Sequence, residues 1–179
     1  MNVYGNTDII TAVDAPPPAA VPELLSLQRS LIVTATTPNI LFREARERRG
    51  LSVEKLAASC GIAPLDILEI EGLEGDLSWC HTPKMVQKYC QVLGIRPIDL
   101  FAPGFEEPPI YAGELVERIH SECRSRGITL EQFEDIIEWW QINTILDPPE
   151  MLLENMTVDH LQRLCQELHA DWRRVILSL

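Results

Sequence analysis

Two pairs of histidine and cysteine residues have the spacing of zinc ligands on helices. His120 lies three residues before Cys123, and Cys165 lies four residues before His169, so each pair falls on one helix face. Together they would supply two nitrogen and two sulfur ligands if their helices touched. Cys165, however, corresponds through an internal repeat to Cys90, at an apolar helical position, which favours a place in the core. We therefore predict no metal site.

No other group of residues has the pattern of an active site. The chain lacks a glycine-rich phosphate loop, a nucleophile elbow and an HExxH string. The adjacent acids Glu134 and Asp135 lie on a polar helix face, where solvated carboxylates are common. We therefore expect no catalytic residue, no cofactor and no small-molecule ligand, and we do not expect an enzyme.

The 179-residue chain is acidic, with 27 Asp and Glu against 15 Lys and Arg and a formal charge of −12. This balance excludes a general polyanion binder with a basic field over the whole molecule. The charge is uneven, because residues 105–179 carry 15 acids and 6 bases, whereas residues 38–104 carry 9 and 8. The total charge therefore does not decide whether the first half binds nucleic acid.

The composition also indicates the cellular compartment in which the protein is expected. Apolar residues make up 46% of the chain, a globular profile. No apolar run approaches the roughly 18 residues of a transmembrane helix, and no secretory signal is visible at the N-terminus. Five cysteines, an odd number without a CxxC pair, are typical of a reducing environment. We expect a cytoplasmic protein without a membrane partner.

An internal repeat divides the chain. Residues 49–56 align with residues 126–133 at an offset of 77, and residues 82–93 align with residues 157–168 at an offset of 75. Two acids and two prolines at 106–109 separate the copies and cannot continue a helix. The predicted organisation is an N-terminal proline-containing arm (1–37), a first domain (38–104), a linker (105–110) and a second domain (111–179).

Helix signals recur through the first domain. Ser52 and Thr82 are typical N-cap residues. Pro64 and Pro83 suit the first position of a helix, where the missing N–H costs nothing. No segment alternates as a strand does. The predicted helices are 40–49, 53–60, 64–71, 83–93 and 97–101.

A set of residues on these helices and in their connections forms a recognisable pattern. The set is Arg46, Gly50-Leu51-Ser52, Leu56-Ala57, Gly61-Ile62, Ile67, Ile70-Glu71, Leu93-Gly94-Ile95 and Leu100-Phe101. In these residues the first domain resembles the lambda-repressor-like, Cro/Xre-type helix-turn-helix family. The resemblance implies an all-α protein of two tandem five-helix lambda-repressor-like helix-turn-helix domains, the second divergent. It also implies an ion pair between Arg46 and Glu71 that ties the first helix to the third.

The residues at the positions that would face DNA are unusual for this family. Bases are read mainly by Arg, Lys, Asn and Gln, and none of these occurs between Gly61 and Asp76. The loop after the third helix adds the acids Glu74 and Asp76, which would repel phosphate. The DNA-facing candidates are Val53, Ala63, Pro64, Leu65, Asp66 and Glu69, and the phosphate-contact candidates are Arg43, Arg48, Arg49 and Lys55.

The second domain departs further from the pattern. Its residue aligned with Arg46 is Cys123, so the ion pair is absent there. Pro148 and the proline after it exclude a long third helix. Neighbouring Trp139 and Trp140 point to different sides of a helix, so both are candidates for a protein interface, and packing in a local core is the alternative.

Two functions remain open on these observations. The first is a transcriptional regulator that binds DNA through the first domain, as a dimer, with an unusually acidic recognition helix. The second is a protein-interaction adaptor or antitoxin-like protein that keeps the helix-turn-helix fold without binding DNA. The corresponding partners are DNA, a protein partner or a second copy of the chain.

Overall fold

Capping groups define where the helices of the first half begin and end. In the computed structural model, which describes residues 36–179, the Ser52 hydroxyl accepts a hydrogen bond from the Lys55 backbone N–H, and Gly61 ends the same helix at a φ of 68°. Thr82 caps a later helix in the same way. The helices are α1 (Pro38–Arg48), α2 (Val53–Cys60), α3 (Pro64–Gly72), α4 (Asp76–Trp79), α5 (Pro83–Leu93) and α6 (Ile98–Phe101).

The second half follows the same rules with different lengths. Thr129 and Gln132 form a reciprocal capping box, and Asp171 caps the last helix through the Arg173 N–H. The helices are α7 (Ala112–Arg126), α8 (Leu130–Ile137), α9 (Ile142–Ile145), α10 (Met151–Asn155), α11 (Val158–Glu167) and α12 (Trp172–Leu177).

The predicted all-helical class is confirmed for residues 36–179, where no strand occurs. The short helix α4 was not expected, because Gly75 and the acids around it indicate a loop. After α8 the chain forms only the single turn α9 before Pro148, as the prolines there predict. No helix in the described range is long and apolar enough to span a membrane. The predicted arm lies outside the described residues, apart from Thr36 and Thr37.

Two hydrophobic cores lie within the described unit, and each receives a residue from the other half. The N-terminal core is built on Phe42, Leu56 and Tyr89 and includes Val158 from α11. The C-terminal core includes Ile98 from α6. Residues 36–179 therefore form one compact unit in which the two predicted domains pack together.

Two further contacts join the halves. The Ile110 N–H donates to the Arg174 carbonyl at 3.0 Å, and Ile110 is fully buried although it falls in the segment predicted as linker. Phe101 packs edge-on against Trp172 with ring centroids 5.5 Å apart. Burial of apolar side chains at this junction favours a fixed arrangement of the two halves over independent motion.

Candidate functional site

A buried ion pair fixes α3 against α1. Arg46 Nε and Nη2 donate to the two oxygens of Glu71 at 2.5 and 2.8 Å. The remaining guanidinium nitrogen Nη1 donates to the Leu51 carbonyl at 2.8 Å. The hydrogen bond to Glu71 raises the pKa of Arg46 above its ordinary value, against the opposing effect of burial. The pair expected between these residues is thus present, and it sets the orientation of α3.

The two faces of α3 differ sharply in burial. Ile67 and Ile70 are fully buried in the N-terminal core. On the opposite face, Leu65 and Leu68 keep 61% and 53% of their surface exposed, and Glu69 is exposed beside them. A helix that buries one face normally presents polar residues on the other. Exposed leucines one turn apart on that face therefore need an explanation.

The chain after α3 adds two more exposed apolar side chains. Leu73 is exposed in the connection, and Trp79 at the end of α4 keeps 64% of its surface exposed. The Trp79 ring lies directly over Gly75, where a Cβ would come within 2.9 Å of it, and Gly75 has a φ of 92°. We call Leu65, Leu68, Leu73 and Trp79 the apolar surface.

A buried polar network connects Asp76, at the start of α4, with His81 and Tyr89. The carboxylate of Asp76 lies 3.2 Å from His81 Nε2, and the Tyr89 hydroxyl lies 3.0 Å from His81 Nδ1. The His81 carbonyl accepts the N–H of Val158 at 3.1 Å. Sequence reasoning missed this network and placed Asp76 in the loop after the third helix, among the acids that would face and repel phosphate. That placement was wrong, because Asp76 is buried and bonded to His81.

Of the five acids from Asp66 to Asp76, on α3, on α4 and in the connection between them, only two have side chains free of internal partners within residues 36–179. Asp66 caps the start of α3 through the Ala63 N–H at 2.9 Å, and Glu71 and Asp76 have the buried partners described above. Glu69 and Glu74 are exposed, and their side chains form no hydrogen bond or ion pair in the described part of the chain. Two uncompensated carboxylates therefore accompany the apolar surface.

Acidic residues affect the thiol that follows α4. Burial, the hydrogen bond to Asp76, and the charges of Asp76 and Glu69 together raise the pKa of the exposed Cys80 thiol. α4 also packs directly against α3.

The residues expected to face DNA divide into two groups. Val53 is half-buried against the N-terminal core, so it is only partly available, and Asp66 is half-buried as a helix cap. The exposed members offer no base-reading group, because their side chains are apolar or acidic. These exposed members are Ala63, Pro64, Leu65 and Glu69.

The basic candidates are exposed, and one more base lies near them. Arg49 also donates a long hydrogen bond, at 3.4 Å, to the Val92 carbonyl. Lys88 Nζ lies 3.7 Å from the position of a Cβ on Gly61, in the turn between α2 and α3. The exposed candidates predicted for phosphate contact are Arg43, Arg48, Arg49 and Lys55.

In the second half, one predicted interface residue is buried and the other is exposed. Trp139 belongs to the C-terminal core and stacks at a tilt near His160, with centroids 6.0 Å apart. Its prediction as an interface residue is therefore wrong, since Glu138 ends α8 in a left-handed conformation and turns Trp139 inward. Trp140 keeps 69% of its surface exposed and donates its indole N–H to Asp135 at 3.2 Å.

The zinc-like spacing does not assemble a site in residues 36–179. Cys123 and Cys165 are buried in the C-terminal core, whereas His120 and His169 are exposed. No group of three or more His, Cys, Asp or Glu side chains in this range is arranged to hold a metal ion. Burial raises the pKa of Cys165 to about 12, which suits a core thiol and opposes the thiolate that zinc requires.

Comparisons with protein-family models, with curated proteins and with solved structures found no match for this chain. A functional assignment therefore rests on the side chains exposed on α3 and α4. Their chemistry is apolar and acidic, and the Arg46–Glu71 pair holds them in a fixed orientation.

Proposed function

We propose that the chain is a non-catalytic protein-interaction module that keeps a helix-turn-helix-type fold and binds a protein through the apolar surface. The observation that carries this proposal is the exposure of Leu65 and Leu68 on α3. In a DNA-reading member of such a fold, this face enters the major groove. Here it offers no hydrogen-bond donor for base edges and presents two aliphatic side chains, which water solvates poorly.

The fold assignment belongs to the same proposal. Helices α1, α2, α3, α5 and α6 correspond to the five helices of a lambda-repressor-like, Xre-type domain, and the ion pair between Arg46 and Glu71 supports this correspondence. Residues 111–179 are a divergent second copy that lacks the pair. A protein can keep this fold while its function moves to another kind of partner.

The composition of the apolar surface favours a protein over a nucleic acid. Interface centres are rich in aromatic and apolar groups that leave water on binding. Trp79 is a typical anchor, because it is large, exposed and held in place by Gly75. Affinity for DNA depends instead on neutralising phosphates, and Glu69 and Glu74 would oppose that at this surface.

DNA binding is the second candidate, favoured by one specific observation. Exposed bases lie on α1 and α2, and Lys88 adds positive charge beside Gly61 in the turn. A regulator would use these side chains on phosphates and helix N-termini on the backbone. Such a complex would form without base-reading groups on α3, so it would depend steeply on salt.

One experiment separates the two functions. A photo-crosslinking residue is placed at Leu68 of the full-length chain in its native cells, with Glu154, exposed on α10, as the control position. A discrete protein adduct from position 68, absent from position 154, supports the proposal. In parallel, fluorescence anisotropy measures binding to a duplex of the upstream region of its own gene at about 50 mM salt. A specific, salt-sensitive complex without a protein adduct would show that the chain is a DNA-binding regulator.

A further inference from the structure

We infer that the partner segment bound by the apolar surface is a cationic amphipathic helix, whose apolar stripe covers Leu65 and Leu68 and whose Lys or Arg side chains pair with Glu69 and Glu74. This inference rests on the proposed function and names the chemistry of its partner. The juxtaposition of exposed apolar groups with free carboxylates carries it.

Charge is the first argument. Residues 61–79 contain five acids and no Lys or Arg. Three of these acids are paired or hydrogen-bonded within the protein. Glu69 and Glu74 are therefore the charges that a partner would contact. A partner with acidic flanks would face like charges at a desolvated surface, which costs affinity, whereas basic flanks would be complementary.

The shape of the surface is the second argument. Leu65 and Leu68 lie one turn apart, and Gly72 follows Leu68 by four residues on the same side of α3 with open space where a Cβ would be. This arrangement is a helix ridge with a shallow gap at its end. A second helix can pack along such a ridge with its own residues at i, i+3 and i+4. An extended strand would find no sheet edge to join within residues 36–179.

A second copy of the chain fits less well. Two copies packed through the same patch would bring Glu69 and Glu74 of one copy towards those of the other. The exposed arginines of α1 are not part of the apolar surface, so nothing in that surface offsets the repulsion. Sedimentation velocity of the full chain should therefore show a monomer.

The test uses synthetic helical peptides as probes of the full-length protein. Three peptides share one amphipathic leucine pattern, and their polar positions are all Lys, all Gln or all Glu. Binding is measured by fluorescence anisotropy of the labelled peptide at about 0.15 M salt, where exposed ion pairs are partly screened. We expect the Lys peptide to bind more tightly than the Gln peptide, and the Glu peptide not to bind.

Paired variants locate the binding site. Leu65→Ser with Leu68→Ser should weaken binding of the Lys peptide at least about tenfold, because two half-exposed leucines lose their apolar contact. Glu69→Gln with Glu74→Gln should weaken it by about threefold to tenfold, the effect of two exposed ion pairs. The control removes two exposed acids elsewhere, Glu106→Gln with Glu154→Gln, and should change affinity by less than about twofold.

The failures are distinguishable. If the Lys and Gln peptides bind equally and only the leucine variant weakens both, the apolar surface binds protein but the cationic class is wrong. If the control variant weakens binding as much as the Glu69 and Glu74 variant, the peptide only senses net charge and the inference is overturned. The absence of all peptide binding overturns it too. A dimer that the leucine variant dissociates would assign the surface to a second copy. Binding of the upstream duplex alone would overturn the proposed function itself.

Discussion

Replacing Arg46 with Met should destabilise the protein by about 3–5 kcal/mol, the usual cost of leaving a buried charge unpaired. Only 8% of the Glu71 side-chain surface is exposed, and its carboxylate accepts two hydrogen bonds from Arg46. The substitution therefore leaves a buried carboxylate without its partner. The Leu51 carbonyl would also lose its donor, which adds about 1 kcal/mol.

The double variant Arg46→Met with Glu71→Met removes both charges and should cost less than Arg46→Met alone, about 1–2 kcal/mol. Two apolar side chains then replace the pair, and the main remaining loss is the hydrogen bond to Leu51. The coupling free energy of the cycle should be at least about 2 kcal/mol. The divergent second half, with Cys123 at the position of Arg46, is consistent with joint removal.

Urea unfolding followed by far-UV circular dichroism and by tryptophan fluorescence measures these free energies, and coincidence of the two transitions justifies a two-state treatment. A loss below about 1 kcal/mol for Arg46→Met, or additive effects in the double variant, would refute the reasoning that Glu71 depends on Arg46 for its burial.

Three further outcomes follow from single contacts. Gly75→Ala should cost about 1–3 kcal/mol in urea unfolding, because the new Cβ meets the Trp79 ring at 2.9 Å and the φ of 92° suits only glycine; an unchanged stability would show that Trp79 is not held there. Tyr89→Phe should cost about 1–3 kcal/mol, because the buried Nδ1 of His81 loses its partner; no loss would mean the network is not formed. Brief iodoacetamide treatment should modify Cys80 alone, since the other four thiols are buried; a second modified cysteine in the mass spectrum would contradict this. The midpoint of the rate against pH should lie above 9.0, because burial and Asp76 raise the pKa of the Cys80 thiol; a midpoint at or below 9.0 would contradict the raised pKa.

Local signals in the sequence were sufficient to predict most helix boundaries of the first half. Ser52, Gly61 and Thr82 act on their immediate neighbours, so their effect is readable without knowledge of the fold. The same holds for Pro148, which limits the chain after α8 to a single turn.

The features that decide the candidate site depend instead on contacts between distant residues. Asp76 reads as a surface acid until His81 and Tyr89 are brought around it. Trp139 and Trp140 are indistinguishable by type, and the left-handed conformation of Glu138 determines which one is buried. Exposure of Leu65 was expected from its DNA-facing position, whereas exposure of Leu68 follows from the orientation that the ion pair gives α3.

The most direct test of the central claim is backbone amide NMR of the ¹⁵N-labelled full-length chain, titrated separately with the Lys peptide and with the upstream duplex. We predict that the peptide shifts resonances of Leu65, Leu68, Glu69 and Glu74, and that the duplex leaves them unchanged. Shifts of these resonances with the duplex, and none with the peptide, would contradict the proposal that this surface binds protein rather than DNA.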